Sequence, residues 1–281
     1  MLQDIFPHQF KIEFTPSAPK NADLVLVYAK DKVLLKKDGE TPAIPNYCQF
    51  KKDFNLKDEL IYLFAIDETA FFLHQAEAKE AYEQKGYAFY EPQTFLYSTT
   101  LDWLAFGGIT AAQLSRWYAQ HKYCGCCATP FVQSQKERSL VCPKCNHIEY
   151  PKISPAVIVA VINGDEILLT RYKGRPFRNY ALIAGFSEVG ETLETTAKRE
   201  VLEETGVKIK NLRYYKSQPW SLSDTLLAGF FAELEGSNQI KLDEEELSEG
   251  IWMKLEDLEP QNVNLSLTAN MIEKFRLGKI N

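Results

Sequence analysis

Short blocks of apolar residues separated by polar stretches organise residues 1–120 of the chain. Leu24–Tyr28, Leu60–Ile66 and Tyr87–Tyr90 are rich in aliphatic and aromatic side chains and are bounded by polar or proline-containing segments. Such blocks are typical of β-strands. After them, apolar side chains recur at helical spacing over Ile109–Lys122, which predicts a helix beginning at Ile109. We therefore expect this region to be a small mixed α/β domain.

The pattern changes after residue 150. Two strand-like runs are followed by a polar loop, a short helix between Thr192 and Gly206, another strand and a C-terminal helix. The strands are expected at Ala156–Ile162, Ile167–Leu169 and Leu226–Ala232, and the last helix at Thr268–Phe275. This order of elements predicts an α/β/α sandwich with a mixed sheet over residues 151–281.

Composition and charge narrow the class of protein. The chain has 281 residues, enough for two domains and a small insert, with a net charge of −6. A chain of this charge lacks the broad positive field of a general nucleic-acid-binding protein. The apolar run at Ala156–Ile162 has seven residues, far below the ~20 that span a bilayer. We therefore do not expect this chain to be an integral membrane protein.

A fixed spacing of glycine, glutamate and arginine marks the expected short helix and the loop before it. The pattern is G-x5-E-x7-R-E-U-x-E-E-x-G-U with U aliphatic, and its positions are Gly185, Glu191, Arg199, Glu200, Val201, Glu203, Glu204, Gly206 and Val207. Three of the glutamates stand at i, i+3 and i+4, so their carboxylates share one helix face. Mg²⁺ or Mn²⁺ would relieve their repulsion, and Arg199 can orient the cluster and contact Glu191.

Two cysteine pairs form a second motif. Cys124 with Cys127 and Cys142 with Cys145 have the C-x2-C spacing of two knuckles that hold one tetrahedral Zn²⁺. Four protein ligands leave no open position, so the zinc is expected to be structural. We assign residues 121–150 to a zinc ribbon. Disulfides are the competing use of these cysteines, but the N-terminus has no secretion signal, and we expect a cytoplasmic protein.

Together these motifs resemble those of the Nudix hydrolases, and Ser217-Gln218-Pro219-Trp220 resembles the NADH pyrophosphatase branch. That branch carries S-Q-P-W-P-F-P-x-S-L-M here, whereas this chain has Ser221, Leu222 and Ser223 in place of Pro-Phe-Pro. The resemblance implies metal-dependent hydrolysis of the pyrophosphate bond of NAD(H) to nicotinamide mononucleotide and AMP, and removal of NAD caps from RNA. It also implies a homodimer.

The resemblance assigns roles to further residues. Glu200, Glu203, Glu204 and Glu246 would hold the catalytic metal, with Arg199 beside them, and Glu203 or Glu246 would take a proton from water. Phe186 would stack on a substrate base, and Tyr150 would be supplied by the partner subunit or, in the plainer interpretation, pack in a core. The remaining expected substrate contacts are Glu137, Ala184, Gln218, Pro219, Trp220, Thr225 and Thr268.

Two alternatives remain open at this point. The altered segment after Trp220 is compatible with a Nudix pyrophosphatase that acts on ADP-ribose or a diadenosine polyphosphate. A non-catalytic nucleotide sensor or RNA-binding regulator is the more distant alternative, and the intact carboxylates argue against it.

Overall fold

The computed structural model describes residues 1–38, 41–54, 60–75, 81–98, 102–174 and 180–280. The chain divides into two compact units, one of residues 2–152 with 221–223 and one of Met1, 153–220 and 224–281. The strands are β1 Phe10–Lys11, β2 Leu24–Ala29, β3 Lys32–Asp38, β4 Thr41–Ala43, β5 Ile61–Ile66, β6 Thr69–Gln75, β7 Tyr87–Tyr90, β8 Val132–Gln133, β9 Leu140–Val141, β10 Ile148–Glu149, β11 Ser154–Asn163, β12 Glu166–Tyr172, β13 Ile183–Phe186, β14 Lys208–Trp220, β15 Thr225–Glu235 and β16 Leu247–Lys254. The α-helices are α1 Tyr47–Phe54, α2 Thr94–Ser98, α3 Asp102–Gln120, α4 Leu193–Thr205 and α5 Leu267–Arg276.

The first unit is built on a mixed sheet with the order β1-β5-β6-β2-β3-β4, in which β7 also pairs with β3. β2 and β6 run parallel. α3 covers one face through a core that includes Leu26, Phe64 and Ile109. α1 contributes Phe50 to a separate core with Val25. The expected strands are present as β2, β5 and β7, and the mixed α/β character of the region is confirmed.

The helix expected at Ile109 begins earlier, at Asp102, so Gly107 and Gly108 lie inside it. A Cβ atom on Gly107 would meet the ring of Phe71, and one on Gly108 would meet the ring of Phe95. Glycine normally weakens a helix interior, but here it lets the helix backbone pack directly against two buried rings. Among the described helices, none is long and apolar enough to cross a membrane.

The second unit contains a six-stranded sheet with the order β14-β15-β11-β12-β16, in which β13 also pairs with β11. β11 and β15 are parallel, and the other pairs are antiparallel. Successive residues of β11 point to opposite faces: Val157 belongs to the core that contains Val201 of α4, and Ile158 to the core that contains Met271 of α5. A helix on each face of a mixed sheet confirms the expected sandwich.

Three strands of this sheet, β13, β14 and β16, were not expected from the pattern of apolar residues. β14 is the longest strand, with 13 residues, yet only Ile209 and Gln218 are buried in it. It lies at the edge of the sheet, where no strand of the described residues pairs with its other flank. A strand in this position needs few apolar residues, so its sequence is mostly polar.

Candidate active site

α4 presents the glutamates as the sequence indicates. Thr192 caps its first turn, and its hydroxyl accepts a hydrogen bond of 3.2 Å from the backbone N–H of Thr195. Gly206 ends the helix in the left-handed conformation, with φ of 70°. Ala197 and Val201 are fully buried and fix the rotation of the helix on the sheet. The acidic face is thereby held along one side of the sandwich.

Glu204 is the buried member of this cluster, with 4% of its surface exposed. Its Oε2 atom has no hydrogen-bond partner among the described residues. Burial and then the charges of Glu200, Glu246, Asp243 and Glu203 raise the pKa of Glu204 to about 8. Burial likewise raises the pKa of Glu200. A desolvated, unpartnered carboxylate among other carboxylates is suited to a hard divalent cation.

Arg199 is the counter-ion of the cluster. It donates to both carboxylate oxygens of Glu191 at 2.7 and 2.8 Å, and to Glu200 at 2.8 Å and Glu203 at 3.0 Å. It also donates to the carbonyl of Phe186 at 2.9 Å. These bonds lower the pKa of Glu191 to about 2, because hydrogen bonding to Arg199 favours the charged carboxylate. The expected contact between Arg199 and Glu191 is therefore present.

β13 brings the backbone close to the carboxylate cluster. A Cβ atom on Gly185 would collide with the carboxyl group of Glu200, so any other residue there would displace that carboxylate. Ala184 precedes it and is partly exposed. Phe186 follows, with 55% of its surface exposed. An exposed aromatic ring suits stacking on a flat base.

The acidic loop between β15 and β16 also approaches the cluster. The backbone N–H of Asp243 donates to the carbonyl of Glu204 at 3.0 Å, and Glu246 is close enough to raise the pKa of Glu204. The backbone N–H of Lys173 donates a hydrogen bond of 2.9 Å to the backbone carbonyl of Glu246, which holds Glu246 in place. Asp243 was not expected as a site residue, although it opens the acidic run that contains Glu246.

The Ser217–Trp220 segment forms the end of β14, where Pro219 pairs with Leu226 and Trp220 with Thr225. Gln218 is fully buried. Its side chain accepts from the N–H of Leu267 at 2.6 Å and donates to the carbonyl of Leu265 at 3.2 Å. Gln218 therefore holds the start of α5, next to Thr268. Contacts of these residues with substrate remain predictions.

Glu137 and Tyr150, two further expected substrate contacts, lie together in the first unit. The hydroxyl of Tyr150 donates to Glu137 at 3.0 Å, which raises the pKa of Tyr150. Tyr150 is 54% exposed, so it is not a core residue. An exposed ring whose hydroxyl is fixed by a carboxylate is available to a ligand or a second chain.

The four cysteines of the two knuckles converge. Their sulfur atoms all lie within 4.8 Å of one another, and Cys127 is 3.4 Å from Cys142 and 3.6 Å from Cys145. Ligand sulfurs around a tetrahedral Zn²⁺ are separated by about 3.7 Å, so this set fits zinc. Cys126 stands outside it and is exposed. The three short strands of this region form one sheet in the order β10-β9-β8.

Comparison with known proteins identifies both regions. Residues 152–275 match the NUDIX domain family, and residues 119–150 match the NADH pyrophosphatase zinc ribbon domain family. The chain is similar to proteins named NAD-capped RNA hydrolase NudC from Citrobacter koseri, Salmonella heidelberg and Escherichia coli, with 43, 44 and 43% identity over 146 residues. Each match covers 52% of this chain and 56% of the relative. It thus spans about half the length of these relatives. The chain contains a Nudix domain preceded by an NADH pyrophosphatase zinc ribbon domain.

Proposed function

We propose that this protein hydrolyses the pyrophosphate bond of NAD(H) to nicotinamide mononucleotide and AMP, and removes NAD caps from RNA. The observation that carries the proposal is the carboxylate cluster of α4, in which the buried Glu204 has an oxygen without a partner. The names of the matched relatives support the same substrate class.

The donor set suits Mg²⁺ or Mn²⁺, with Glu200, Glu203, Glu204 and Glu246 as the residues that would hold it. Oxygen ligands alone and several carboxylates in one place are the surroundings these ions prefer. A bound ion would neutralise phosphate charge and lower the pKa of a water molecule. Zn²⁺ at the cysteine quartet would have a structural role.

Other side chains of this protein have separate roles in positioning and proton transfer. Arg199 and Glu191 hold the glutamates in place through a bidentate ion pair. Glu203, whose side chain is 59% exposed, is accessible for proton transfer, and Glu246 is the second candidate. One of these carboxylates accepts a proton as water attacks a phosphorus atom. The bond between that phosphorus and the bridging oxygen breaks, and the bridging oxygen leaves with the other phosphate.

The substrate base is expected to stack on Phe186, whose ring is exposed and whose backbone carbonyl accepts a hydrogen bond from Arg199. Tyr150, fixed by Glu137, is proposed to reach the site of a partner subunit in a homodimer. We also propose three domains: a mixed α/β domain at residues 1–120, the zinc ribbon at 121–150 and the Nudix domain at 151–281. The six free cysteines support residence in a reducing compartment, the cytoplasm.

A second candidate is a pyrophosphatase for ADP-ribose or a diadenosine polyphosphate. The segment Ser221–Ser223 favours it, because it lacks the Pro-Phe-Pro centre of the NADH pyrophosphatase motif. Arg116 donates to the carbonyl of Ser221 in the structure, so this segment has its own fixed conformation. Only a comparison of substrates separates the two candidates.

The test is a comparison of kcat/KM in Mn²⁺ for NADH, ADP-ribose, diadenosine tetraphosphate and an NAD-capped RNA. The matched variant is Glu203→Gln, which removes a carboxylate that is exposed and so leaves the core intact. We expect preference for NADH or the cap, and a loss on the order of 10²–10⁴-fold in the variant.

Each other outcome has a defined meaning. If kcat/KM is highest for ADP-ribose, the hydrolytic mechanism stands and ADP-ribose replaces NAD(H) as the proposed substrate. Undiminished turnover by Glu203→Gln would contradict the role of Glu203. Binding of NAD without products in Mg²⁺ or Mn²⁺ would indicate a nucleotide sensor.

A further inference from the structure

β14 is a basic strand in an acidic protein. Between Lys208 and Trp220 the chain has four basic residues, Lys208, Lys210, Arg213 and Lys216, and no acidic residue. All four are exposed. The whole chain has a net charge of −6, so this strand is a local departure from the overall charge. Its position at the edge of the sheet leaves one flank open.

The pairing of β14 with β15 separates these four charges into two groups. Lys208 stands opposite Glu235, and Lys210 opposite Glu233, so carboxylates offset both. Arg213 stands opposite Phe231, and Lys216 opposite Gly229. In the part of the chain that the structure describes, neither Arg213 nor Lys216 forms an ion pair. The uncompensated charge is therefore concentrated toward the end of the strand.

Neighbouring side chains extend this charged surface. Tyr215 donates to Asn270 of α5 at 2.7 Å, which ties the helix to the strand. Lys274 follows Asn270 by one helical turn and lies on the same side of α5. Lys216 lies over the ring of Tyr215, with its Nζ atom 5.7 Å from the ring centre. Arg213 and Lys216, which form no ion pair among the described residues, and Lys274 can together bind successive phosphates of a nucleic-acid chain.

The strand leads directly into Ser217–Trp220, the segment expected to contact the dinucleotide. We infer that Arg213, Lys216 and Lys274 bind phosphates of the RNA chain that follows an NAD cap. This inference rests on the proposed function and specifies how the RNA substrate is held. A free dinucleotide has no chain beyond its adenosine to place on this surface, so these residues discriminate between the two substrates.

The experiment uses the full chain with two matched double variants. Arg213→Gln with Lys216→Gln removes the uncompensated charges. Lys52→Gln with Lys254→Gln removes two exposed lysines that belong to other elements, α1 and β16. Fluorescence anisotropy measures binding of a labelled, uncapped 12-nucleotide RNA without Mg²⁺ or Mn²⁺, across a range of salt concentrations. Parallel assays measure kcat/KM for NADH and for an NAD-capped RNA.

We expect the first variant to bind RNA on the order of tenfold more weakly, with the slope of log affinity against log salt reduced by about 1.4. Its kcat/KM should fall similarly for capped RNA and stay within about twofold for NADH, because only the RNA contacts phosphates beyond the cap. The control should match the wild-type protein in both assays.

Equal RNA affinity and salt slope in the two variants would overturn the inference. If the first variant also self-associates in gel filtration, the charges protect the open sheet edge instead. Retained RNA binding with lost capture of an acidic peptide would reassign the surface to a protein partner. Should the wild-type protein hydrolyse neither NADH nor capped RNA, the proposed function fails, and the anisotropy measurement still decides the inference.

Discussion

At the scale of single residues, the candidate active site contains one buried carboxylate. Glu204 is 4% exposed, and its pKa is raised to about 8 by burial and the surrounding carboxylates. Near neutral pH without a metal, its folded-state carboxyl therefore retains a proton that the unfolded chain releases. Arg199 cannot correct this, because its bonds go to Glu191, Glu200, Glu203 and Phe186. Among the described residues Glu204 has no ion-pair partner, and a bound divalent cation would supply one.

Glu204→Gln should make the metal-free protein more stable at pH 8. Because the folded-state pKa lies above the usual 4.5, the stability that protonation provides is fully present below about pH 4.5 and is lost as the pH rises to about 8. Glutamine has no proton to lose. Thermal melts are recorded in buffer free of Mg²⁺ and Mn²⁺, with zinc retained. The free energy of unfolding of the variant should exceed that of the wild type by roughly 2–4 kcal/mol at pH 8 and by almost nothing at pH 4.5.

Glu194→Gln is the matched control, since Glu194 is exposed in the first turn of α4 and its replacement should leave the pH profile unchanged. Added Mn²⁺ should raise the melting temperature of the wild-type protein but have less effect on Glu204→Gln. If the stabilities of the wild type and Glu204→Gln change in parallel between pH 4.5 and 8, the pKa of Glu204 is not raised in the folded protein.

At the scale of elements, sequence predicts α4 well and β14 poorly. Thr192 and Gly206 have local chemistry that determines where a helix begins and ends, so the limits of α4 follow from the chain itself. β14 has no such signal, because an edge strand is stabilised by pairing with β15 and not by its own apolar pattern. For the same reason the sequence did not reveal that Gln218 supports α5. That role depends on a contact with Leu267, distant in the chain.

The zinc ribbon provides a prediction at this scale. Cys142→Ser should abolish stoichiometric zinc, because Cys142 is a buried member of the quartet and three thiolates bind zinc less tightly than four. Metal analysis should show the loss, and hydrogen exchange should increase over residues 121–150. Cys126→Ser is the control, since Cys126 lies outside the quartet, and it should retain zinc. Equal zinc content in the two variants would mean that the quartet is not the zinc site.

At the scale of the whole molecule, the proposed homodimer assigns Tyr150 to the site of the partner subunit. The ring is exposed and its hydroxyl is held by Glu137, as required of a residue that acts outside its own core. In a twofold dimer each subunit would then donate one aromatic ring and receive another. Sedimentation should give twice the chain mass of 32.2 kDa.

Mixing two inactive variants tests this arrangement. Chains with Tyr150→Ala retain Glu203, and chains with Glu203→Gln retain Tyr150, so a mixed dimer rebuilds one complete site. After unfolding and refolding together at equal amounts, the mixture should recover about a quarter of wild-type turnover. Tyr150→Ala mixed with the double variant should recover nothing. Mixed dimers without recovered activity would show that Tyr150 acts within its own chain.

The close approach of Gly185 to Glu200 limits how this protein can change over generations. Every amino acid that a single-base mutation can introduce in place of glycine carries a Cβ atom, and that atom would displace a carboxylate of the cluster. Every single-base change at this codon that replaces glycine then moves the carboxylate of Glu200. A lineage can leave this position only after Glu200 has moved, so the order in which substitutions accumulate here is constrained by geometry.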